Sequence, residues 1–385
     1  MDFTLTEDRR MIRDAARTFL AAEAGSSQRR TAIESDTGWD TALWRKLGEM
    51  GWLGALAPEA HGGQELGCME LALLLEEAGR ALVAAPFLET AAMAVPAVVA
   101  AGDEAQQAEL LPGLIDGSRL AALCLIDAHG ELPPEGAPAT LDKGRLDGRA
   151  RFVTFAHSAD LLLVAARTPG ARDWNGLSLV ALPADSAGVF VTRQEGLDLT
   201  RPYAEVAFEA VAVEPRMILG PPGEAGPAIR RMLAMGAGLM AAEQVGGASW
   251  CLETSVDYAK HRVQFGRPIG SFQAVKHILA DMMLRIEAAR SAAYLAAATL
   301  QDTRLQGDPE EAASSARAYC SDAYFACAGA AIQVHGGIGF TWEHDAHLHF
   351  RRARASANLL GDPAYHRERV ARLIGLDDEL QDASA

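Results

Sequence analysis

The sequence of 385 residues is poor in basic residues and in cysteine. It has 35 lysines and arginines against 51 aspartates and glutamates, a formal net charge of −16. This deficit disfavours a broad surface for nucleic acid or for an anionic membrane, although local arginines still allow a phosphate-bearing ligand. The five cysteines are scattered and form no CxxC pair. That usage is typical of reduced thiols in the cytoplasm.

Long apolar runs are also missing. The longest, residues 91–101, contains Pro96 and is far shorter than the roughly 20 residues that a membrane-spanning helix needs. Charged residues interrupt the first 20 positions, where a signal peptide would have an unbroken apolar stretch. The sequence therefore predicts a cytoplasmic protein without a membrane span.

The pattern of apolar residues along the chain changes twice. Apolar residues with helical spacing, such as Leu71, Leu74 and Leu75, fill the first part. Short β-rich segments between glycines and prolines follow, and long Ala-, Leu- and Met-rich helices begin after Gly220. The prediction is an α+β protein with three domains: an all-helical N-terminal domain (1–119), a middle antiparallel β barrel or sandwich (120–220) and a C-terminal helix bundle (221–385).

A cluster of histidines raises the possibility of a metal site. His344, His347 and His349 lie within one short stretch, and imidazoles are common zinc ligands. Three arginines follow at once and would repel a cation: Arg351, Arg352 and Arg354. We therefore predict a charged packing helix and no metal.

Two motifs combine residue types that suit a nucleotide. Arg262 is followed by Phe265 and, in the first turn of the next helix, by Gln273. A guanidinium matches phosphate oxygens in pairs, and a glutamine amide can read a ring edge. Further on, Gln333 precedes Gly336 and Gly337, which provide a helix C-cap and backbone that a flat ligand can approach closely. Taken alone, the first motif favours a surface arginine and a core phenylalanine over a nucleotide site.

A third signal is weaker. Thr154 ends a predicted strand, Phe152-Val153-Thr154, where a β-branched hydroxyl could face a ring nitrogen or oxygen. With the two motifs in this order and at these separations, the chain resembles the acyl-CoA dehydrogenase family over essentially its full length. The stretches 47–63 and 206–220 are similar to that family as well.

The resemblance implies a helical domain, a β domain and a C-terminal four-helix bundle. It implies FAD at a dimer interface, usually in a tetramer, an acyl-CoA substrate, and an electron-transfer flavoprotein as the acceptor of the electrons. In the family a glutamate removes the α-proton of the thioester while the flavin accepts the β-hydride. The cofactor-binding residues it implies here are Arg262, Phe265, Gln273, Gln333, Gly336, Gly337 and Thr154.

The sequence departs from the family at the catalytic base. Matching residues 350–354 to the family's R-D-A-R-like stretch places Leu360 in the usual glutamate position. The alternative position of the base falls at or near Gly236. The loop that covers the flavin, normally T-E-P-x-x-G-S-D, reads Ile126-Asp-Ala-His-Gly-Glu131 here.

These losses lead to a hypothesis. The family's arginine and double-glycine motifs reach mainly the FAD of the neighbouring subunit, whereas the base and the covering loop serve a subunit's own flavin. We therefore predict the non-catalytic half of a hetero-oligomeric dehydrogenase, which completes the FAD site of a catalytic sister chain. Paired enzymes of this family are associated with bulky acyl groups such as steroid side chains, and so with the β-oxidation of lipids.

Two alternatives remain open at this point. The chain could be a self-sufficient homo-oligomeric enzyme with a relocated base, either Glu243 or Asp362; the competing explanations are an arginine-paired Glu243 and an Asp362 that caps a helix. It could also be a flavin-free structural or CoA-binding protein, which retention of the cofactor-binding residues argues against.

Overall fold

The computed structural model describes residues 5–301 and 307–376, and its first part is helical. Polar side chains define where helices begin: Thr6 accepts the Arg9 N–H at 3.3 Å, and Asp103 forms a capping box with Gln106. The N-terminal helices are α1 (Glu7–Glu23), α2 (Ser26–Glu34), α3 (Thr41–Glu49), α4 (Cys68–Arg80), α5 (Val95–Ala101) and α6 (Glu104–Asp116), with a π-helical segment Leu88–Ala94 before α5.

The middle part forms one mixed sheet. Its strands are β1 (Ala121–Cys124), β2 (Ala139–Asp142), β3 (Arg145–Thr154), β4 (Leu161–Arg167), β5 (Leu177–Pro183), β6 (Val189–Gln194), β7 (Tyr203–Ala212) and β8 (Ile218–Leu219). They follow the order β6-β7-β3-β2-β4-β5-β8, with β1 beside β4. Most neighbours are antiparallel as expected, but β1 and β2 both run parallel to β4. Parallel pairs need crossovers rather than hairpin turns, so no local turn signal announces them.

The last part is again helical. Its elements are α7 (Gly226–His261), the short strands β9 (Val263–Gln264) and β10 (Arg267–Pro268), α8 (Gln273–Gln301), α9 (Pro309–His335), α10 (Ala346–Ser356) and α11 (Pro363–Leu373). Pro227 and Pro309 stand in the first turns of α7 and α9, where a missing N–H costs no hydrogen bond. The long helices α7, α8 and α9 pack against one another, and α11 packs on α9.

Helices α4 and α7 approach each other so closely that only glycine fits between them. A β-carbon on Gly246 would lie 1.7 Å from the Glu76 carbonyl oxygen, and one on Gly79 would lie 1.9 Å from that of Glu243. Through this contact the N-terminal and C-terminal helices share one hydrophobic core, while the sheet encloses a second core. The predicted fold class is confirmed, and the domain limits 1–119, 120–220 and 221–385 stay a prediction.

All five cysteines are buried free thiols. Burial raises the pKa of Cys68 to about 11 and that of Cys320 to about 12. Among residues 5–301 and 307–376, no helix combines the length and apolarity that crossing a bilayer requires. The same residues contain no group of three or more His, Cys, Asp or Glu placed to hold a metal ion.

Candidate functional site

The first group of predicted site residues lies where α7 leads into α8. The Arg262 N–H donates to the Tyr258 carbonyl oxygen at 2.8 Å and ends α7. Phe265 and Gly266 follow at φ of 52° and 74°, the left-handed conformation of a tight turn between antiparallel strands. This turn leaves the Phe265 side chain 93% exposed, so Phe265 is not a core residue of this chain.

The second group lies at the C-terminus of α9. Gly336 ends the helix at φ 62°, and its N–H donates to carbonyl oxygens of the last turn. A β-carbon on Gly336 or on Gly337 would meet no atom within 4 Å. The backbone here is therefore open to a close approach by a ligand.

An aromatic contact brings the two groups together. The Tyr258 ring, one turn before Arg262, stacks on the His335 ring with centroids 4.6 Å apart. His335 directly precedes Gly336 and also contacts His344, centroid to centroid, at 4.5 Å. We define the arginine–glycine surface as Arg262, Phe265, Gln273, Gln333, Gly336 and Gly337.

The polar groups of this surface are available to a ligand. Arg262, Gln273 and Gln333 are exposed, and within the described residues their side chains have no hydrogen-bond or ion-pair partner. Phe340 and Trp342, which follow the two glycines, are 80% and 60% exposed. A guanidinium for phosphate, amides for a ring edge and bare backbone for a flat molecule suit a nucleotide, and apolar side chains left in solvent suit contact with a second molecule.

A separate cleft of about 940 Å³ lies between the sheet and the C-terminal helices. Phe152 and Tyr203 line its sheet side, and Gly361 and Tyr365 line its helix side. Its described lining includes no residue of the arginine–glycine surface. Thr154 is buried and pairs with Tyr203 across β3 and β7, so it lies beside this cleft and apart from the six other predicted cofactor residues.

Glu243, one candidate base, is enclosed in a buried ion-pair cluster. Arg201 donates to its carboxylate at 2.9 Å and Arg352 donates to it at 2.6 Å. Burial opposes ionisation of Glu243, but the charges and hydrogen bonds of the two arginines outweigh it and hold its pKa below the usual value. A carboxylate held ionised in this way is a poor proton acceptor at neutral pH.

Asp362, the other candidate base, caps α11. Its Oδ1 accepts the Tyr365 N–H at 2.7 Å, which is the role of an N-cap residue. The side chain is nevertheless exposed and belongs to the lining of the cleft. A carboxylate therefore does reach the cleft, close after Leu360 in the chain.

The two positions that the resemblance assigns to the family's base adjoin in space. Leu360 is only 6% exposed and has a φ of 58°. A β-carbon built on Gly236 would lie 2.9 Å from Leu360 Cδ1 and 2.7 Å from Met93 Sδ. Apolar side chains therefore fill the space around these two positions.

The loop at residues 126–131 is closed on itself. Asp127 Oδ1 accepts the backbone N–H groups of His129 and Glu131 at 2.8 and 2.9 Å, and the Asp127 N–H donates to the Glu131 carbonyl oxygen. These donors are therefore not free for a ligand.

Sequence reasoning allowed for an arginine paired with Glu243, but it missed the extent of the buried cluster around this residue. Besides Glu243, Arg352 contacts Asp198 at 2.5 Å, and it donates to Thr200. Asp198 adjoins Leu197, which lines the cleft, so the cluster fixes one wall of the cleft. The only local signal was a second arginine at position 352 in the middle of an R-D-A-R-like stretch.

Helices, a middle sheet and a second helical part around a cleft form the acyl-CoA dehydrogenase fold. Residues 6–118 match the acyl-CoA dehydrogenase N-terminal domain, and residues 226–375 match the acyl-CoA dehydrogenase C-terminal domain. The chain belongs to the acyl-CoA dehydrogenase family.

The chain is similar to a single-name relative and to two solved structures whose names each join two proteins. The chain is 37% identical to acyl-CoA dehydrogenase IpdE2 of Mycobacterium tuberculosis, over 96% of this chain and 97% of IpdE2. It is 31% identical to a chain of a variant of the Tcur3481–Tcur3483 steroid ACAD, with a TM-score of 0.86 and coverage of 99% and 100%. For the ChsE4–ChsE5 complex of Mycobacterium tuberculosis the identity is 28%, the TM-score 0.86 and the coverage 97% and 99%.

Proposed function

We propose that this chain is the non-catalytic subunit of a hetero-oligomeric, FAD-dependent acyl-CoA dehydrogenase, and that it completes the FAD site of a catalytic sister chain. The observation that carries this proposal is the contact between Leu360 and Gly236, the two positions at which the family carries its base. Neither side chain accepts a proton, and a base must lie within about 3 Å of the proton it removes.

The arginine–glycine surface fits the nucleotide end of FAD. Arg262 would bind the pyrophosphate, the backbone at Gly336 and Gly337 would lie along it, and Gln273 and Gln333 would hydrogen-bond to polar groups of the cofactor. When bound, FAD supplies the redox chemistry by accepting a hydride from the substrate. This chain's residues contribute position and charge.

The chain's own cleft is a poorer flavin site. Asp127 already binds the backbone donors of the loop at its edge, and the hydroxyls of the family's T-E-P segment are replaced there. Thr154 is retained but buried. We therefore place the functional FAD in the sister chain's cleft, with its adenine end on this chain.

The relatives support a two-chain enzyme. The names ChsE4–ChsE5 complex and Tcur3481–Tcur3483 steroid ACAD each join two proteins. We extend this to the present chain as a cytoplasmic hetero-oligomer, a tetramer of two chains of each kind. Its substrate is an acyl-CoA with a bulky, steroid-like acyl group, and an electron-transfer flavoprotein accepts its electrons.

A self-sufficient enzyme is the second candidate. The observation that favours it is Asp362, whose carboxylate lines the cleft. Its role as the cap of α11 and the ion pairs of Glu243 argue against either residue as the base. The third candidate, a flavin-free CoA-binding or structural protein, leaves the exposed and unpartnered groups of the arginine–glycine surface without a purpose.

Flavin content distinguishes the three candidates. We expect the chain expressed alone to carry almost no FAD and no activity, and the complex with its sister chain to carry one FAD per two chains and to oxidise acyl-CoA. In the complex, Arg262→Ala should lower the flavin content, while Arg10→Ala, an exposed arginine on α1, should not. One FAD per chain with turnover in the isolated protein would contradict the proposal, and a colourless, inactive complex would favour the third candidate.

A further inference from the structure

The C-terminal helices carry a positively charged surface, although the chain as a whole has a net charge of −16. The segments 258–280, 323–342 and 346–361 contain no aspartate or glutamate, and they include every residue of the arginine–glycine surface. We define the cationic face as the six cations of these segments that are exposed or half-buried: Lys260, Arg262, Arg267, Lys276, Arg351 and Arg354. Its sign is opposite to that of the rest of the protein.

The cationic face extends across several elements. Arg262 directly precedes the hairpin β9–β10, and the Tyr258–His335 stack joins this region to the double glycines that end α9. From Gly336, exposed and half-buried positions continue back along one side of α9 at helical spacing: Gln333, Gly329 and Phe325. Helix α10, which carries the last two cations, packs against α9.

Aromatic rings hold three of the guanidinium groups in place. The Cζ atom of Arg267 lies 4.1 Å from the ring centroid of Phe272. The same contact joins Arg351 to Trp342 at 5.2 Å and Arg354 to Phe325 at 5.6 Å. Because an aromatic face attracts a cation, these side chains are already ordered and lose less conformational freedom when a partner binds.

The cationic face lacks counter-charge within the chain. Among the described residues, none of its six cations forms an ion pair with a carboxylate. Asp345, which lies between two of the segments, instead binds Arg29 and Arg30. Three exposed carboxylates at the ends of the segments offset part of the charge: Asp257, Asp281 and Glu343. Positive charge remains in excess.

This face suits a different protein better than a second copy of the same chain. Phe265, Phe340 and Trp342 are exposed among the cations, and apolar side chains clustered in solvent mark protein contacts. In a two-fold dimer the same patch of each copy meets itself, so two copies would bring their uncompensated cations together. Like charges across an interface oppose association, whereas an acidic partner supplies the missing counter-charge.

We infer that the sister chain meets the cationic face with an acidic surface, and that charge selects this mixed pair over a pair of copies of the present chain. The inference rests on the proposed function, because it assigns a charge to the sister chain's surface around the shared FAD. Arg262 would bind the pyrophosphate in that proposal, which leaves the other five cations for the protein partner.

Reversal of two cations outside the proposed FAD contacts tests the inference in the complex with the sister chain. The double variant Arg267→Glu, Arg354→Glu should weaken assembly at least about tenfold at low salt, measured by sedimentation velocity, and less at high salt. The matched control is Arg10→Glu with Arg172→Glu, which changes the net charge equally but reverses exposed arginines outside the three segments. It should leave assembly unchanged.

The reversed double variant is also a defined acidic partner for the wild-type chain. Wild type mixed with Arg267→Glu, Arg354→Glu should associate at least about tenfold more tightly than wild type with itself. The mixture of wild type with the matched control variant should show no such gain. This comparison separates the charge of the face from the net charge of the protein.

Three results would overturn the inference. They are self-association of the wild type as tight as its association with the reversed variant, an equal effect of both double variants, and binding to anionic lipid vesicles or heparin that Arg267→Glu, Arg354→Glu alone abolishes. A complex that carries one FAD per two chains but ignores both double variants also overturns it, while the proposed function stands. A full complement of FAD with turnover in the isolated chain contradicts that function instead.

Discussion

Leu360 lies directly against Gly236, so that a β-carbon added to the glycine would come within 2.9 Å of the leucine Cδ1. The two positions are far apart in sequence, and the resemblance to the family assigns each of them to one of the two places for a catalytic glutamate. Under the proposed function, the loss of the base is therefore one packed apolar feature rather than two unrelated substitutions. Restoring a carboxylate at either place must overcome this packing.

Replacing Leu360 by glutamate tests this feature. We expect Leu360→Glu to destabilise the chain by about 1–3 kcal/mol, because an unpaired polar group would be buried beside Met93. It should not create turnover in the isolated chain, which lacks FAD under the proposed function. Chemical denaturation and an acyl-CoA oxidation assay measure the two effects.

Leu360→Met is the control for this substitution. It keeps the volume and the apolar character of the side chain and should cost less than about 1.5 kcal/mol. Turnover by the isolated Leu360→Glu protein would mean that the chain's own cleft holds a competent flavin.

The ion pairs of Glu243 predict a structural role for that residue. Glu243→Gln leaves Arg201 and Arg352 buried with part of their counter-charge removed, which typically costs about 3–5 kcal/mol. Urea unfolding should show this loss. If Glu243 were instead the base, the variant would keep its stability and the enzyme would lose only its activity. Exposed Glu209→Gln should change the free energy of unfolding by less than about 0.5 kcal/mol.

The open backbone at Gly337 gives a test of the cofactor site that spares the fold. A β-carbon there meets no atom of the chain within 4 Å, so Gly337→Ala should leave the melting temperature nearly unchanged. In the complex with the sister chain it should lower the flavin content, because the methyl group would occupy space next to the nucleotide. Gly329→Ala, within α9, should alter neither quantity. Unchanged flavin in Gly337→Ala would argue against FAD at this surface.

Buried histidines predict acid sensitivity. Burial lowers the pKa of six histidines, of which four are buried and His157 and His344 are half-buried, and it lowers that of His366 to about 3; the six are His157, His335, His344, His347, His349 and His366. The unfolded chain therefore binds protons first as the pH falls below the ordinary histidine value of about 6.5. Stability is fully present above that pH and declines below it, by about 1.4 kcal/mol per pH unit for each fully buried ring.

Unfolding free energies at about pH 7.5 and about pH 5.5 measure this decline. His366→Asn removes one of the buried rings and should make the decline shallower. The raised pKa of buried Glu89 acts in the opposite direction but concerns one group. A stability that is level or rises toward acid would contradict the assignment of neutral, buried histidines.

The fold class and the family could be predicted from local sequence patterns. The spacing of Leu71, Leu74 and Leu75 predicted a helix, and α4 contains all three. The arginine and double-glycine motifs predicted the family, which the matches confirm. Both depend on residues near one another in sequence.

The features that could not be predicted from the sequence depend on contacts between residues that are distant along the chain. Arg201 and Arg352 reach Glu243 from 42 and 109 positions away, and no spacing rule links them. The parallel pairing of β1 and β2 with β4 likewise arises from crossovers. Which carboxylate is free and which is neutralised is therefore decided by tertiary structure.

The separation of the arginine–glycine surface from the cleft has an evolutionary consequence. Because the two share no described residue, mutation can erode one while selection preserves the other. After a gene duplication, one copy can lose its chemistry and persist as an obligate companion of the other. Its cleft is then released from the demands of the ancestral reaction and free to acquire a different occupant.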